Sequence, residues 1–267
     1  MFGKHFFLRV YSVIFLLYLL VPLGVMSAAA FNDFAFPSPM PWKGFTLQWF
    51  AKLYNDEYIW EYTRNTFFVA LAVVALAVPL GTAGALLVNS LKGRNRAILY
   101  AVMIAPVLTP GAVIGISTLL FWYKLNVPAG LHLSVLGQVS FIAAYVMLMV
   151  LARLQSFDGA LEEAALDLGA SHAQMLRRIL LPHLYPALAA GAVLAFFQSV
   201  ENFNTTQFTR GSSNTLTVYI GSKVRSGIKP DINALATIMI GLTILGAIIY
   251  EIRRRREMVR QAALDAK

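Results

Sequence analysis

Residues 162–182 read EEAALDLGASHAQMLRRILLP. The segment is charged, alanine-rich and interrupted by a single glycine, and apolar runs long enough to cross a bilayer flank it. Its Ala, Leu and Glu residues favour helix. Asp158 stands where an N-cap accepts the amides of a first helix starting near Gly159. Gly169 ends that helix, because glycine takes the left-handed conformation without steric cost. Ser171 followed by Gln174 has the spacing of a capping box for a second helix. That helix carries Ala173, Leu176 and Leu180 on an apolar stripe, with His172 and Arg178 on a polar one. Pro182 then opens the next apolar run, where its missing N–H matters least. The segment is therefore read as a helix–Gly–helix elbow.

The surroundings of the elbow set its environment. The chain is 58% hydrophobic and only 13% charged, too little charge to cover a soluble surface over 267 residues. With a mean hydropathy of +0.65, the exterior is expected to face lipid. The formal charge of +9 sits in short loops and tails between apolar runs. No basic face interleaved with stacking aromatics is present, so nucleic acid is not an expected partner. The chain has no cysteine, and its histidines (His5, His132, His172 and His183) lack metal-ligand spacing.

Six apolar runs approach the roughly 20 residues that a spanning helix needs. They lie near 10–30, 66–88, 97–123, 131–154, 182–200 and 232–252, and the expectation is an all-α, six-span membrane domain covering 1–267. The first run, with Lys4 and Arg9 ahead of it and Ser27-Ala28-Ala29-Ala30 behind, also fits a cleavable leader, though it is long for one. With the N-terminus inside, 14 of the 22 basic residues fall on inner segments. These include Arg94, Arg153 and Arg177, the elbow at 158–182 and the basic tail at 253–267. Both termini and the elbow are accordingly expected in the cytoplasm. Of the basic residues left outside, Arg210, Lys223, Arg225 and Lys229 share one polar loop, 201–231. The first outer loop, rich in Pro and Trp (FPSPMPWKGF), is expected to be an irregular cap, with Trp42, Trp49 and Trp60 at the headgroup level.

Within the elbow, Glu163-Ala164-Ala165, Gly169, Ile179 and Leu181-Pro182 have a spacing that resembles the EAA loop of permease subunits of bacterial ABC importers. The stretches NTFFVALAVVALAVPLGTAGALLV (65–88), IAPVLTPGAVIGIS (104–117) and GSKVRSGIKPDINALATIMIGLT (221–243) look like the spermidine/putrescine-type permeases. The resemblance implies a type I ABC importer permease fold in the bacterial inner membrane. It makes the elbow a coupling helix docked on an ATPase subunit, with Glu162, Glu163, Ala164, Ala165, Asp167, Gly169, Ala170, Ile179 and Pro182 as its coupling residues. Implied partners are a second, related permease, two ATPase copies and a periplasmic solute-binding protein. No G-x-x-x-x-G-K-[ST] sequence occurs in the chain, so ATP and Mg are expected on the ATPase subunits and no cofactor on this one.

Polar groups inside spans are costly and mark cavities or partners. The densest group ends the fifth run: Gln198, Ser199, Glu201, Asn202, Asn204, Thr205, Thr206 and Gln207. Gln198, Glu201, Asn202 and Asn204 are expected to line the substrate pathway, with Tyr145 and Phe203 available for cation–π contact. Glu201 suits a polyamine. The polyamine permeases tend to have two acids here, however, and Arg210 keeps an anionic or aminophosphonate cargo open. Asn65 and Asn89 read as helix caps, Pro106 and Pro110 as kinks, and Gly111 with Gly115 as a small-residue contact face. A stand-alone channel or carrier would call for intramembrane charge relays or inverted repeats, and a membrane enzyme for a catalytic motif; none is found.

Overall fold

Apolar runs become helices because hydrocarbon offers the backbone no other hydrogen-bond partner. The computed structural model describes residues 3–227 and 229–265 and, among them, contains helices and no strand. Lys267 lies outside the described residues, as do the side chains of Lys4, Arg253, Arg254 and Arg260. Two compact units are present, one formed by residues 1–59 and 222–267, the other by 60–221.

In the first unit, α1 (Gly3–Ala30) and α2 (Gln48–Tyr54) pack against α12 (Pro230–Asp265). Between α1 and α2 the cap is irregular, as expected, and Asn32 organises it. This fully buried side chain donates to the carbonyls of Ser38 and Pro41, both at 3.0 Å, and accepts the Lys43 amide at 2.8 Å. The Trp49 indole is less an anchor than a clip, donating to the Asn32 carbonyl at 2.9 Å. Trp42 and Trp60 are exposed. Lys52 of α2 pairs with Asp231 of α12 at 3.6 Å.

The second unit holds α3 (Glu57–Ser90, from Trp60 onward), α4 (Gly93–Leu108), α5 (Gly111–Lys124) and α6 (Leu131–Leu154). There follow the elbow helices α7 (Gly159–Asp167) and α8 (His172–Met175), then α9 (Leu181–Val200), α10 (Thr206–Thr209) and α11 (Leu216–Ser226, through Gly221). Helix α6 is the most enclosed, burying Leu133, Ile142, Val146, Met147 and Val150 completely and touching α4, α5, α9 and α10. It crosses α3 at Gly81. A Cβ there would meet the Ala143 carbonyl oxygen and lie 2.7 Å from Val146 Cβ and 2.9 Å from the Met147 amide. Helices α6 and α9 run antiparallel, with Val146 opposite Gly191.

Four helices are long and apolar enough to span a membrane: α1, α3, α6 and the continuous stretch His172–Val200. The expected third span is not one kinked helix. Helices α4 and α5 diverge by 103° at Thr109–Pro110, and the pair counts as a fifth span or a re-entrant turn. Proline disfavours the helical conformation for the residue before it, and Thr109 is extended (φ −89°, ψ 132°). In α12, the apolar helix within the described residues runs Pro230–Gly246.

Because Gly81 meets backbone rather than flexible side chain, we expect Gly81→Val to abolish accumulation of folded protein. Gly81→Ala should cost about 1–3 kcal/mol, the usual overpacking penalty. Gly241→Ala, in open space, should change little. Thermal unfolding in detergent, followed by size-exclusion, measures all three.

Candidate functional site

The elbow forms as its sequence dictates. Asp158 Oδ1 accepts the Ala160 amide at 3.0 Å and starts α7. Gly169 ends it at φ +83°. There the Ala170 amide reaches back to the Ala165 carbonyl (3.0 Å) and the Gly169 amide to that of Leu166 (2.9 Å), the paired bonds of a Schellman motif. The capping box is complete: Ser171 N–H donates to Gln174 Oε1 at 2.9 Å, and Gln174 N–H to Ser171 Oγ at 3.3 Å. Nothing lies within 4 Å of a Cβ built on Gly169, so only its backbone conformation demands glycine.

Two details depart from the sequence reading. Pro182 does not open a new helix; the chain is helical from His172 to Val200. Because Pro182 lacks an N–H and its ring crowds the preceding turn, the helix widens just before it. Residues Leu176–Leu180 form a π-helical turn, and the Leu181 amide bonds the Leu176 carbonyl five residues back. The inward stripe is Met175 and Leu180, both buried, with Leu176 and Ile179 half-buried, and Ala173 is exposed.

The elbow therefore has an inner and an outer face. Ala165 and Met175 are buried in the hydrophobic core of the unit, and Ala170, Ile179 and Phe157 pack against it half-buried. Glu163, Ala164, Asp167, Leu168, Gly169 and Pro182 are exposed, and Glu162 is half-buried. Of the two alanines, only Ala164 offers a small residue to a partner. Leu168, at 89% exposure, adds an apolar knob that the sequence reading did not single out.

At the other end of α9 the polar residues form a buried latch. Ser199 Oγ donates to Gln138 Oε1 (2.5 Å), and Gln138 Nε2 donates to Thr206 Oγ1 (2.8 Å). Asn202 Oδ1 accepts the Thr206 hydroxyl (3.1 Å) and the amides of Thr205 and Thr206 (both 3.2 Å). Ser134 and Thr209 hydroxyls share a bond of 3.0 Å. Thr205 is the keystone: its hydroxyl bonds the Gly111 carbonyl at 3.1 Å, its carbonyl would lie 2.8 Å from a Cβ on Gly115, and its methyl 2.8 Å from one on Gly137. The expected glycine contact face thus receives the non-helical segment after α9. Asn65 is no cap: it lies inside α3 and donates to the Asn214 carbonyl at 2.9 Å, while Thr66 Oγ1 accepts the Leu216 amide at 2.9 Å.

Of the pathway candidates, Glu201 and Asn204 are exposed, Gln198 is half-buried, and Asn202 Oδ1 is occupied by the latch. The Glu201 carboxylate makes no ion pair among the described residues. Tyr145 lies about 10 Å further along α6 than Gln138, at 1.5 Å per residue, and so not at the level of the latch. The Phe203 ring covers Gly221. Arg210 Nη1 donates to the carbonyls of Ser213 (2.8 Å) and Gly211 (3.4 Å), and its buried Nε has no partner. Among the described residues, no three of His, Asp and Glu gather as a metal-binding group.

A helical chain with several apolar spans and a capped elbow leading into the last of the long ones has the build of an importer permease. Residues 77–257 match the model of the binding-protein-dependent transport system inner membrane component, and the chain belongs to that family of ABC importer permeases. It is 30% identical over 239 residues to the spermidine/putrescine transport system permease protein PotC of Escherichia coli strain K12, covering 89% of this chain and 90% of that one. With the putrescine transport system permease protein PotI of the same strain it shares 32% over 231 residues, 82% and 81% of the two chains. Among solved structures, a bacterial ABC transporter involved in the import of the acidic polysaccharide alginate superposes with a TM-score of 0.71 at 18% identity, over 95% of this chain and 96% of that one. The family and the four long apolar helices make this a multi-pass membrane protein, and the family is one of non-catalytic transport subunits.

Substitutions at Gly169 should rank by their tolerance of φ +83°: Gly best, then Asn, Ala and Val, the last costing more than about 1–2 kcal/mol locally. Limited proteolysis of the elbow in the assembled transporter reads that order. Gln138→Leu leaves the Ser199 hydroxyl without its acceptor in the core and removes the donor to Thr206 Oγ1, whose own proton stays on Asn202, and a loss of about 1–3 kcal/mol in thermal stability is expected; Gln138→Glu tests whether shape alone suffices.

Proposed function

We propose that this chain is the membrane-spanning half of an ATP-driven importer of polyamines or related amines in the bacterial inner membrane. It works with a second, homologous permease subunit, two ATPase subunits and a periplasmic binding protein. The chain crosses the bilayer six times with both termini in the cytoplasm, the broken pair α4–α5 counting as one span and the apolar part of α12 as the sixth. The observation that carries this reading is the elbow: a capped, glycine-hinged element with Glu163, Ala164 and Leu168 facing outward, continuous by helix with α9. ATP binding draws the ATPases together, the elbow follows, and the permease pair exchanges inward-open for outward-open. ATP and Mg stay on the ATPases.

The polyamine assignment is supported by the relatives named for spermidine and putrescine transport and by Glu201, an exposed carboxylate at the end of α9. A carboxylate without an internal cation is a natural counter-charge for a protonated amine. Gln198 and Asn204 flank it, and Asn202 fixes the turn that presents it. An anionic cargo would rest on Arg210, whose Nη1 is committed to its own turn.

Two measurements on the reconstituted transporter test the reading. Glu201→Gln should raise the KM for labelled putrescine or spermidine about tenfold, the weight of one charged hydrogen bond, with ATP hydrolysis preserved; an unchanged KM removes Glu201 from the pathway. Glu163→Lys should lower uptake and ATP hydrolysis together, and wild-type values for both in an assembled complex would sink the coupling role of the elbow.

A further inference from the structure

The elbow is joined to the bundle by a reciprocal clasp. Arg153, in the last turn of α6, donates from Nε to the His183 carbonyl at 3.0 Å. His183, in the first turn of α9, returns Nε2 to the Arg153 carbonyl at 3.3 Å, which requires the proton on Nε2. The Phe157 ring meets the imidazole edge-on, with centroids 5.2 Å apart. Both residues of the clasp are half-buried. They bracket the whole elbow, one just before it and one just after, so the two strands of chain that leave the bundle are tied at their roots.

The π-helical turn at Leu176–Leu180 lies between the elbow and this tie. A widened turn is the compliant point of an otherwise continuous helix. Displacing α8 would be absorbed there, by sliding or unwinding, unless the helix beyond it were held. Two bonds hold it, at the first turn of α9, to the most enclosed helix of the unit, and a ring contact holds it to Phe157 just beyond that helix. The guanidinium adds direction, since its planar fork fixes the donor where a flexible ammonium would not, and its charge suits a helix C-terminus.

We infer that Arg153 and His183 are positioning residues through which displacement of the elbow reaches α9. This rests on the proposal that the elbow docks on a nucleotide-hydrolysing subunit. The pair does not contact cargo or nucleotide; it keeps α6 and α9 moving with the elbow.

The chain has no cysteine, so two labels can be placed on it once any cysteines of the partner subunits have been replaced. Spin labels at Tyr123→Cys on α5 and Phe197→Cys on α9, both exposed, report the separation of those helices in the full transporter. The parent should show a shift between the nucleotide-free and the ATP–vanadate-trapped state. With Arg153→Ala or His183→Phe the shift should fall below half, while ATPase co-purification is unchanged and hydrolysis stays within twofold. Arg153→Lys should recover part of it. His183→Phe keeps the ring against Phe157 and removes only the donor, so it carries the test if Arg153→Ala fails to assemble. A full shift in His183→Phe, or hydrolysis lost in proportion to the shift, overturns the inference. A parent that shows no shift, or that co-purifies with no ATPase, refutes the docking reading on which the pair depends.

Discussion

A backbone amide or carbonyl left bare in hydrocarbon costs several kcal/mol, and the sharpest features of this chain occur where its helices stop. The break at Thr109–Pro110 and the turn at 201–215, helical only over α10, interrupt the apolar runs, and side chains from other helices serve polar groups in both. The Gly111 carbonyl, at the break, is taken by the Thr205 hydroxyl. Asn202 serves two amides of the turn, and Asn65 and Thr66 of α3 receive its far end. Glycines at 111, 115 and 137 let the segment come close enough for these bonds to form. The polar residues after α9 thus build the floor on which exposed Glu201 and Asn204 stand, and most are spent on that task. Of the cluster, what is left to meet a solute is a small remainder.

The elbow was legible because its signals are local. An N-cap, a left-handed glycine and a capping box act within four or five residues, and each appears at the residue the sequence names. Four of the six expected spans were legible for a similar reason, since length and hydropathy are sums along the chain. What escaped depends on contacts or on competition between turns. Proline at 106 and 110 announces disturbance, but whether a helix bends or breaks by 103° depends on what receives the freed carbonyls, here a threonine almost a hundred residues away. The π-helical turn is one such case, since periodicity alone assumes no extra residue in a turn, and that Met175 packs inward while Ala173 faces out is likewise decided by contacts. Ala165 and Ala164 are adjacent and chemically identical; only the fold decides that one lines a core and the other a surface. Asn65 looked like a cap because its apolar run begins there, although the helix itself begins at Glu57.

The pairing of α6 with α9 links these regions. Three contacts fix their antiparallel register: Arg153 with His183, Val146 with Gly191, and Gln138 with Ser199. The first lies at the elbow, the last at the polar latch, and the middle is a close approach permitted by glycine. A slip of one residue would misalign all three at once, so the register is set more firmly by these contacts together than by the apolar surface between them. The latch amide has no good alternative, since an unpaired buried amide loses its full desolvation cost.

From His172 to Val200 the chain is one helix of 29 residues, about 43 Å at 1.5 Å per residue. On the proposed reading, one end carries the surface offered to the ATPase and the other the carboxylate offered to the solute. A close-packed interior transmits displacement because it has few voids in which to lose it. The widened turn near the elbow is the exception, and its position immediately before the tied root of α9 is mechanically sensible. Compliance confined to that point lets the elbow seat on a moving partner, while the helix beyond it shifts as a body with α6. On the same reading, a permease driven by a separate ATPase has need of this division: one end that adapts and a shaft that does not.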